Sequence, residues 1–487
     1  MLKLKVLVFL GLLLLSACAR APAATDAPQV PTAVSRPADI ATQSAVSEVS
    51  SVQKVSADAQ VVSVDYCTDC HTDKQKLIDT AKPVEEVANE NKGGSMVWEA
   101  DPMEPWEKVL VDAQTFPQSI HGLNGCISCH GGVESPDKDT AHEGIIRNPS
   151  KDPQAVCGTC HPDIVANHKN NLHSNLAGFL NVVSERTVPK SHPAIDEAIA
   201  TNCSSCHVTC GECHVSQPNI IGGGFVNGHL FNRIPSMTQN CAACHASRAG
   251  NEYLGKNEGL NADVHFAQAN MNCVDCHTDV EFHGAPADCS SCHTGPEGSE
   301  VPPPDHRYDG IQAPRCETCH ANVAAGKDDV IMHQMHGSDL SFQVCHSVAY
   351  SNCDGCHVAV SDKTGNPIYE LDASYTTFLI GRNPLQSYER PYAYVPVRHA
   401  PISQDTFDFY GLNLLPNFDK QETWTYATPH NIQRNTPQTE SCNACHGNPE
   451  FFLTVDKVAP EELKANQNVI VDTLPPLISS GDQIPSR

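Results

Sequence analysis

The pentapeptide Cys-x-x-Cys-His occurs eleven times in this chain, beginning at Cys67, Cys126, Cys157, Cys203, Cys210, Cys241, Cys273, Cys289, Cys316, Cys353 and Cys442. A random chain of this length and this Cys and His content would hold roughly 0.06 copies. Only Cys18 and Cys345 of the 24 cysteines fall outside the set. A disulfide framework gives no reason for a histidine directly after nearly every second cysteine. Zinc ribbons pair their cysteines but do not require that histidine either. The spacing is the attachment signal for c-type haem: two thiols bond to the vinyl groups, and the adjacent imidazole reaches the iron from the proximal side.

The attachment thiols are then Cys67 and Cys70, Cys126 and Cys129, Cys157 and Cys160, Cys203 and Cys206, Cys210 and Cys213, Cys241 and Cys244, Cys273 and Cys276, Cys289 and Cys292, Cys316 and Cys319, Cys353 and Cys356, and Cys442 and Cys445. The proximal ligands are His71, His130, His161, His207, His214, His245, His277, His293, His320, His357 and His446. Only Val208 and Thr209 separate the motifs at Cys203 and Cys210, so a local metal or disulfide cluster stays open there.

Each leftover cysteine has its own reading. Lys3 and Lys5 precede a ten-residue apolar stretch, Val6 to Leu15, which is a signal-peptide core too short to span a bilayer. Its end, Leu15-Ser16-Ala17-Cys18, resembles the bacterial lipobox, which implies cleavage before Cys18 and acylation of that residue. Ala19 after the Cys, by the same resemblance, favours the outer membrane, facing the periplasm or the cell surface. The alternative is an ordinary signal peptide with a coincidental Cys, and either way the chain is exported. Cys345 lies in Phe342-Gln-Val-Cys345-His346, a haem motif whose first Cys is Phe. It is either a one-thioether haem site with His346 as proximal ligand, or a decayed site with an inert thiol. Eleven haems are therefore expected, with a twelfth left open.

The chain divides into a signal peptide (1–17), a flexible linker (18–65), a multihaem region (66–357), an aromatic-rich haem-free insert (358–441), and the last motif with its tail (442–487). The linker has no aromatic residue and no Gly from Ala19 to Val64, and cannot bury enough apolar surface to offset its ordering entropy. A long polar loop is expected from Thr72 to Ile120, and a peripheral, frayed tail after Gly447. The 35 Pro and 30 Gly interrupt both helical and strand periodicity. Eleven haems over the body leave about 38 residues each, too few for a conventional core around every one. The expected fold is loop-rich, with short α-helices, a few β-hairpins and a core formed largely by stacked haems. The insert holds 12 of 28 aromatic residues, Tyr392, Tyr394, Phe407 and Trp424 among them, and its β-branched and aromatic runs predict hairpin strands. It reads either as a flap shielding haem faces or as a docking surface.

An iron with His on both sides is saturated and suited to electron transfer, whereas an open position permits catalysis. Thirteen histidines lie outside the motifs: His121, His142, His168, His173, His192, His229, His265, His283, His306, His333, His336, His399 and His430. That stock nearly matches the number of haems, so all thirteen are candidate distal ligands. His142, His306 and His399 have the least support. His333 and His336, three apart, can project from one helical turn toward two different haems.

The repeated motif, with settings such as Ile120-His121-Gly122, Phe282-His283-Gly284 and Pro429-His430-Asn431, resembles the large bacterial multihaem cytochromes from Cys67 to His446. That superfamily includes octahaem hydroxylamine oxidoreductases and tetrathionate reductases. The resemblance implies electron transfer through a chain of haems, between periplasmic or outer-membrane donors and an extracellular acceptor, with other redox proteins as partners. Two departures count against the enzymes: no Cys-x-x-Cys-Lys variant is present, and the motif number exceeds the octahaem pattern. The alternatives are a reductase or oxidase of a small nitrogen or sulfur compound at one five-coordinate haem, and a protomer of a conductive filament. A formal charge of −26 excludes nucleic acid as a partner and favours basic surfaces on other proteins.

Overall fold

A computed structural model describes residues 65–81, 103–175, 177–202, 208–284, 314–324, 326–337, 339–348, 355–360, 367–372, 378–387, 390–400 and 402–479. The expectations for 1–64, Cys18 included, lie outside the described residues. So do the motifs at 203–207 and 289–293, Cys353 and His306. Cys356 and His357 lie on a strand, but only their backbone is described.

Helices are short, and the longest among the described residues, His192–Asn202, has 11 residues. Eight complete motifs are described, and each occupies about one helical turn, as at Tyr66–His71, Cys210–His214 and Cys273–Cys276. One turn suffices because positions i, i+3 and i+4 share a face, so both thiols and the imidazole project to one side. Polar residues start these turns. Asp65 accepts from Thr68 N at 3.1 Å. Asn272 accepts from Val274 N at 2.8 Å while Asp275 accepts from Asn272 N at 2.7 Å. A capping side chain of this kind stabilises a helix end by about 0.5–2 kcal/mol. The expected loop from Thr72 to Ile120 contains a helix, Lys74–Thr80, and two 3₁₀ turns within its described parts.

Among the described residues, strands are confined to the C-terminal third. β1 (Gly355–Val360) and β2 (Pro367–Asp372) form an antiparallel hairpin. β3 (Leu379–Arg382), β4 (Tyr394–His399) and β5 (Trp424–Tyr426) form an antiparallel sheet with β4 central, Val397 lying opposite both Leu379 and Tyr426. β4 is buried at four consecutive positions, Val395 to Arg398, so both its faces are covered.

The apolar core sits around this sheet. Leu379, Val395, Val397 and Trp424 pack with Leu453, Val458, Val469 and Ile470. Val344, Ile380, Phe452 and Val471 extend it. A further cluster joins Val183, Ile195 and Ala198 to Ile402, Phe407, Leu415 and Phe418. Two expectations are corrected here. The insert is not a mere flap, because its residues share packed cores with the tail and with the helices around Val183 and Ile195. The tail is not frayed through residue 471: Leu453 donates to the Ile380 carbonyl at 2.9 Å, Arg382 donates to Val469 at 2.9 Å, and Leu453 and Val469 are fully buried. Burying such a side chain contributes about 1.5–3 kcal/mol. No helix among the described residues is long and apolar enough to cross a membrane.

Candidate haem-binding site

From Tyr66 to Asn435 the chain wraps a continuous cavity of about 4450 Å³ with mostly apolar walls. Single-ligand pockets measure about 300–1,000 Å³, so the space suits several groups rather than one. Seven of the eight described motif turns line this cavity.

Nine histidine pairs result, each joining a motif imidazole to a partner from elsewhere in the chain. His71 faces His142 with ring centres 6.1 Å apart, His161 faces His121 at 6.4 Å, and His130 faces His229 at 5.9 Å. His245 faces His173, His214 faces His283, and His320 faces His265, all at 6.0 Å. His277 faces His430 at 6.3 Å, and His346 of the degenerate motif faces His333 at 6.1 Å. His446 faces His336 at 6.1 Å, the one pair of the nine that is off the cavity wall. Two imidazole nitrogens on opposite sides of one metal ion, each about 2.0–2.1 Å from it, put the ring centres about 6.3 Å apart. The residues present therefore fit a metal held between two imidazoles, and the apolar walls fit a haem around it.

Hydrogen bonds orient these rings. Nδ1 donates to a backbone carbonyl from His71 (Val109, 3.1 Å), His130 (Ile146, 2.8 Å), His214 (Asn232, 2.7 Å) and His446 (Pro476, 2.9 Å). Carbonyl oxygen only accepts, so Nδ1 carries the hydrogen and Nε2 keeps the lone pair a metal needs. Side-chain oxygens do the same for His173 (Asn171, 3.1 Å), His265 (Asp263, 3.0 Å), His277 (Glu281, 2.7 Å) and His283 (Asp279, 2.6 Å). The sequence reading missed these orienting groups. Their signal is Asn171 and Asp263 two residues before a histidine, and Asp279 and Glu281 four residues from one on a helical turn. Burial lowers His173, His229 and His430 to about 4, which keeps them neutral at neutral pH.

His229 sits in the left-handed backbone region at φ 71°, after Gly228 at φ 56°. A Cβ on Gly228 would lie 2.9 Å from the backbone nitrogen of Asp112. That close approach lets Asp112 N donate to the Gly228 carbonyl at 2.8 Å and fixes the turn that presents His229.

No disulfide joins the described cysteines. First cysteines of different motifs meet: Cys67 with Cys126, Cys157 with Cys210, and Cys241 with Cys273. Burial pushes Cys67, Cys213 and Cys316 up to about 11, so these thiols are neutral S–H groups.

Other candidate ligands are placed differently. His399 Nε2 lies 2.9 Å from both carboxylate oxygens of Glu462, with its ring against Trp424. His168 lines the cavity, and His192 is exposed at the start of its helix. Neither has a motif imidazole against it among the described residues.

Residues 156–219 match the family described as cytochrome c554 and c-prime. The matched stretch holds the motifs at Cys157, Cys203 and Cys210 and the histidines His168, His173 and His192. No curated protein and no solved structure matches the chain. The match to a c-type cytochrome family supports haem as the cofactor and haem-based electron transfer as the general role.

Proposed function

We propose that the protein is an electron conduit in which the eight histidine pairs at complete motifs are the axial ligand pairs of eight c-type haems, with further haems at the complete motifs outside the described residues. The carrying observation is the pairing itself: each described motif histidine faces a second imidazole at 5.9–6.4 Å. When bound, the haems supply one-electron redox chemistry at low potential, since Met is the axial ligand that raises it. The chain's own part is to hold two thiols and two oriented imidazoles at each site and to keep water out with apolar walls. The meetings of Cys67 with Cys126, Cys157 with Cys210 and Cys241 with Cys273 support close spacing between neighbouring sites.

With two imidazoles per iron, no coordination position stays open for a substrate at these sites, which favours transfer over catalysis. In this reading Cys18 carries the lipid anchor at the outer membrane, and the electrons pass to an acceptor outside the cell or to another redox protein. Electron paramagnetic resonance on the oxidised protein, with haem quantified alongside, is the test. Low-spin signals alone are expected. A high-spin signal from about one iron per chain, shifted by nitrite, hydroxylamine or sulfite, would move the protein to the enzymes.

A further inference from the structure

Phe342-Gln-Val-Cys345-His346 has only the second half of an attachment motif, yet its backbone does what a complete one does. Phe342–His346 is a five-residue helix like Cys210–His214, and Cys345 and His346 occupy the positions of Cys213 and His214. His346 Nδ1 donates to the Gln433 carbonyl at 3.1 Å, leaving the Nε2 lone pair free. Opposite stands His333 at a ring-centre distance of 6.1 Å, its own Nδ1 held 2.5 Å from the Asp328 carboxylate.

The same stretch is strapped in place from the other side. Gln433 N donates to the His346 carbonyl at 2.8 Å, Val348 N donates to Asn431 at 3.0 Å, and Thr436 Oγ1 donates to the Cys345 carbonyl. Phe342, Gln343, His346 and His333 all line the shared cavity. Cys345 itself packs beside this wall against Val344, Ile380, Phe452 and Val471. Two oriented imidazoles facing each other at the metal-bridging distance, beside a cysteine at the attachment position, make a built site.

We propose that this site holds a haem attached through the single thioether of Cys345, with His346 and His333 as its axial ligands. The inference rests on reading the complete motifs as haem sites. Attachment is an addition: the Cys345 S–H bond breaks, an S–C bond forms at one vinyl group, and the hydrogen ends on the other vinyl carbon. Nothing is oxidised and no atom is lost. Because position 342 is Phe, the second vinyl group stays unsaturated.

The test is peptide mass spectrometry on the full mature protein, produced with haem-attachment machinery. The peptide containing Cys345 is expected to carry one whole haem mass. In pyridine its reduced α band should lie at longer wavelength than those of the two-thioether peptides, because one vinyl group remains conjugated. Phe342→Cys should move that band to shorter wavelength without changing the haem count, and Cys345→Ser should release one haem to acid–acetone extraction. A bare, alkylatable Cys345 peptide beside haem-loaded peptides from the complete motifs would overturn the inference alone. Haem on no peptide at all would overturn the wider reading and this inference with it.

Discussion

His399 and His430 end in opposite chemical situations. His399 is occupied by Glu462, which also accepts from Thr423 Oγ1 at 2.8 Å, so its imidazole belongs to a buried polar network. His430 is half-buried, held neutral by the loss of solvent around it, and aimed at His277. Replacing His430 by Ala should therefore add a high-spin signal of about one iron per chain, read by electron paramagnetic resonance, while His399→Ala should add none. Gly228→Ala tests the left-handed turn: its Cβ collides with the Asp112 backbone, and φ 56° is strained for Ala. We expect it to displace His229 and convert one low-spin iron to high spin, visible also as a lower thermal midpoint. The motif cysteines and histidines were legible as a repeat because the chemistry that the motif implies fixes residue type and spacing. Pairing was not legible, because partners such as His277 and His430 are set by the fold rather than by neighbouring residues.

Among the elements, the strap from Pro429 to Thr436 is tied at its start to a buried ion pair. Glu252 accepts from Arg398 Nη2 at 2.6 Å and from the His430 backbone N–H, and neither Glu252 nor Arg398 is exposed. Glu252→Gln would remove one buried counter-charge from Arg398, and breaking a buried ion pair costs up to about 3–5 kcal/mol. A lower denaturant midpoint is expected, together with a high-spin fraction at the His430 site. The single-turn helices followed from the motif alone. Hairpin strands were legible in the insert, whereas the burial of β4 on both faces and its cover by the tail were not. Four consecutive buried positions on β4 erase the alternation that marks a strand, and the tail that covers the sheet shows no periodicity of its own.

On the scale of the molecule, two kinds of interior coexist: a packed apolar core around the sheet, and a cavity shaped for cofactors. Composition foreshadowed the second and hid the first, because 40% hydrophobic residues spread evenly over the chain would build no core, whereas concentrated near the sheet they do. The formal charge of −26 governs encounters. Electron transfer to a basic partner protein should slow as salt rises, and transfer with an anionic mediator should quicken, both read by stopped-flow reduction. The separation of paired histidines has a consequence in time. In the proposed reading, a chain exported from its N-terminus would present His277 long before the His430 that faces it, and an iron held by His277 would wait for its second ligand until the strap arrived. A copy cut short before the strap would not be a shorter wire but a different object, loaded with cofactor and carrying an iron open to whatever small molecule reaches it first.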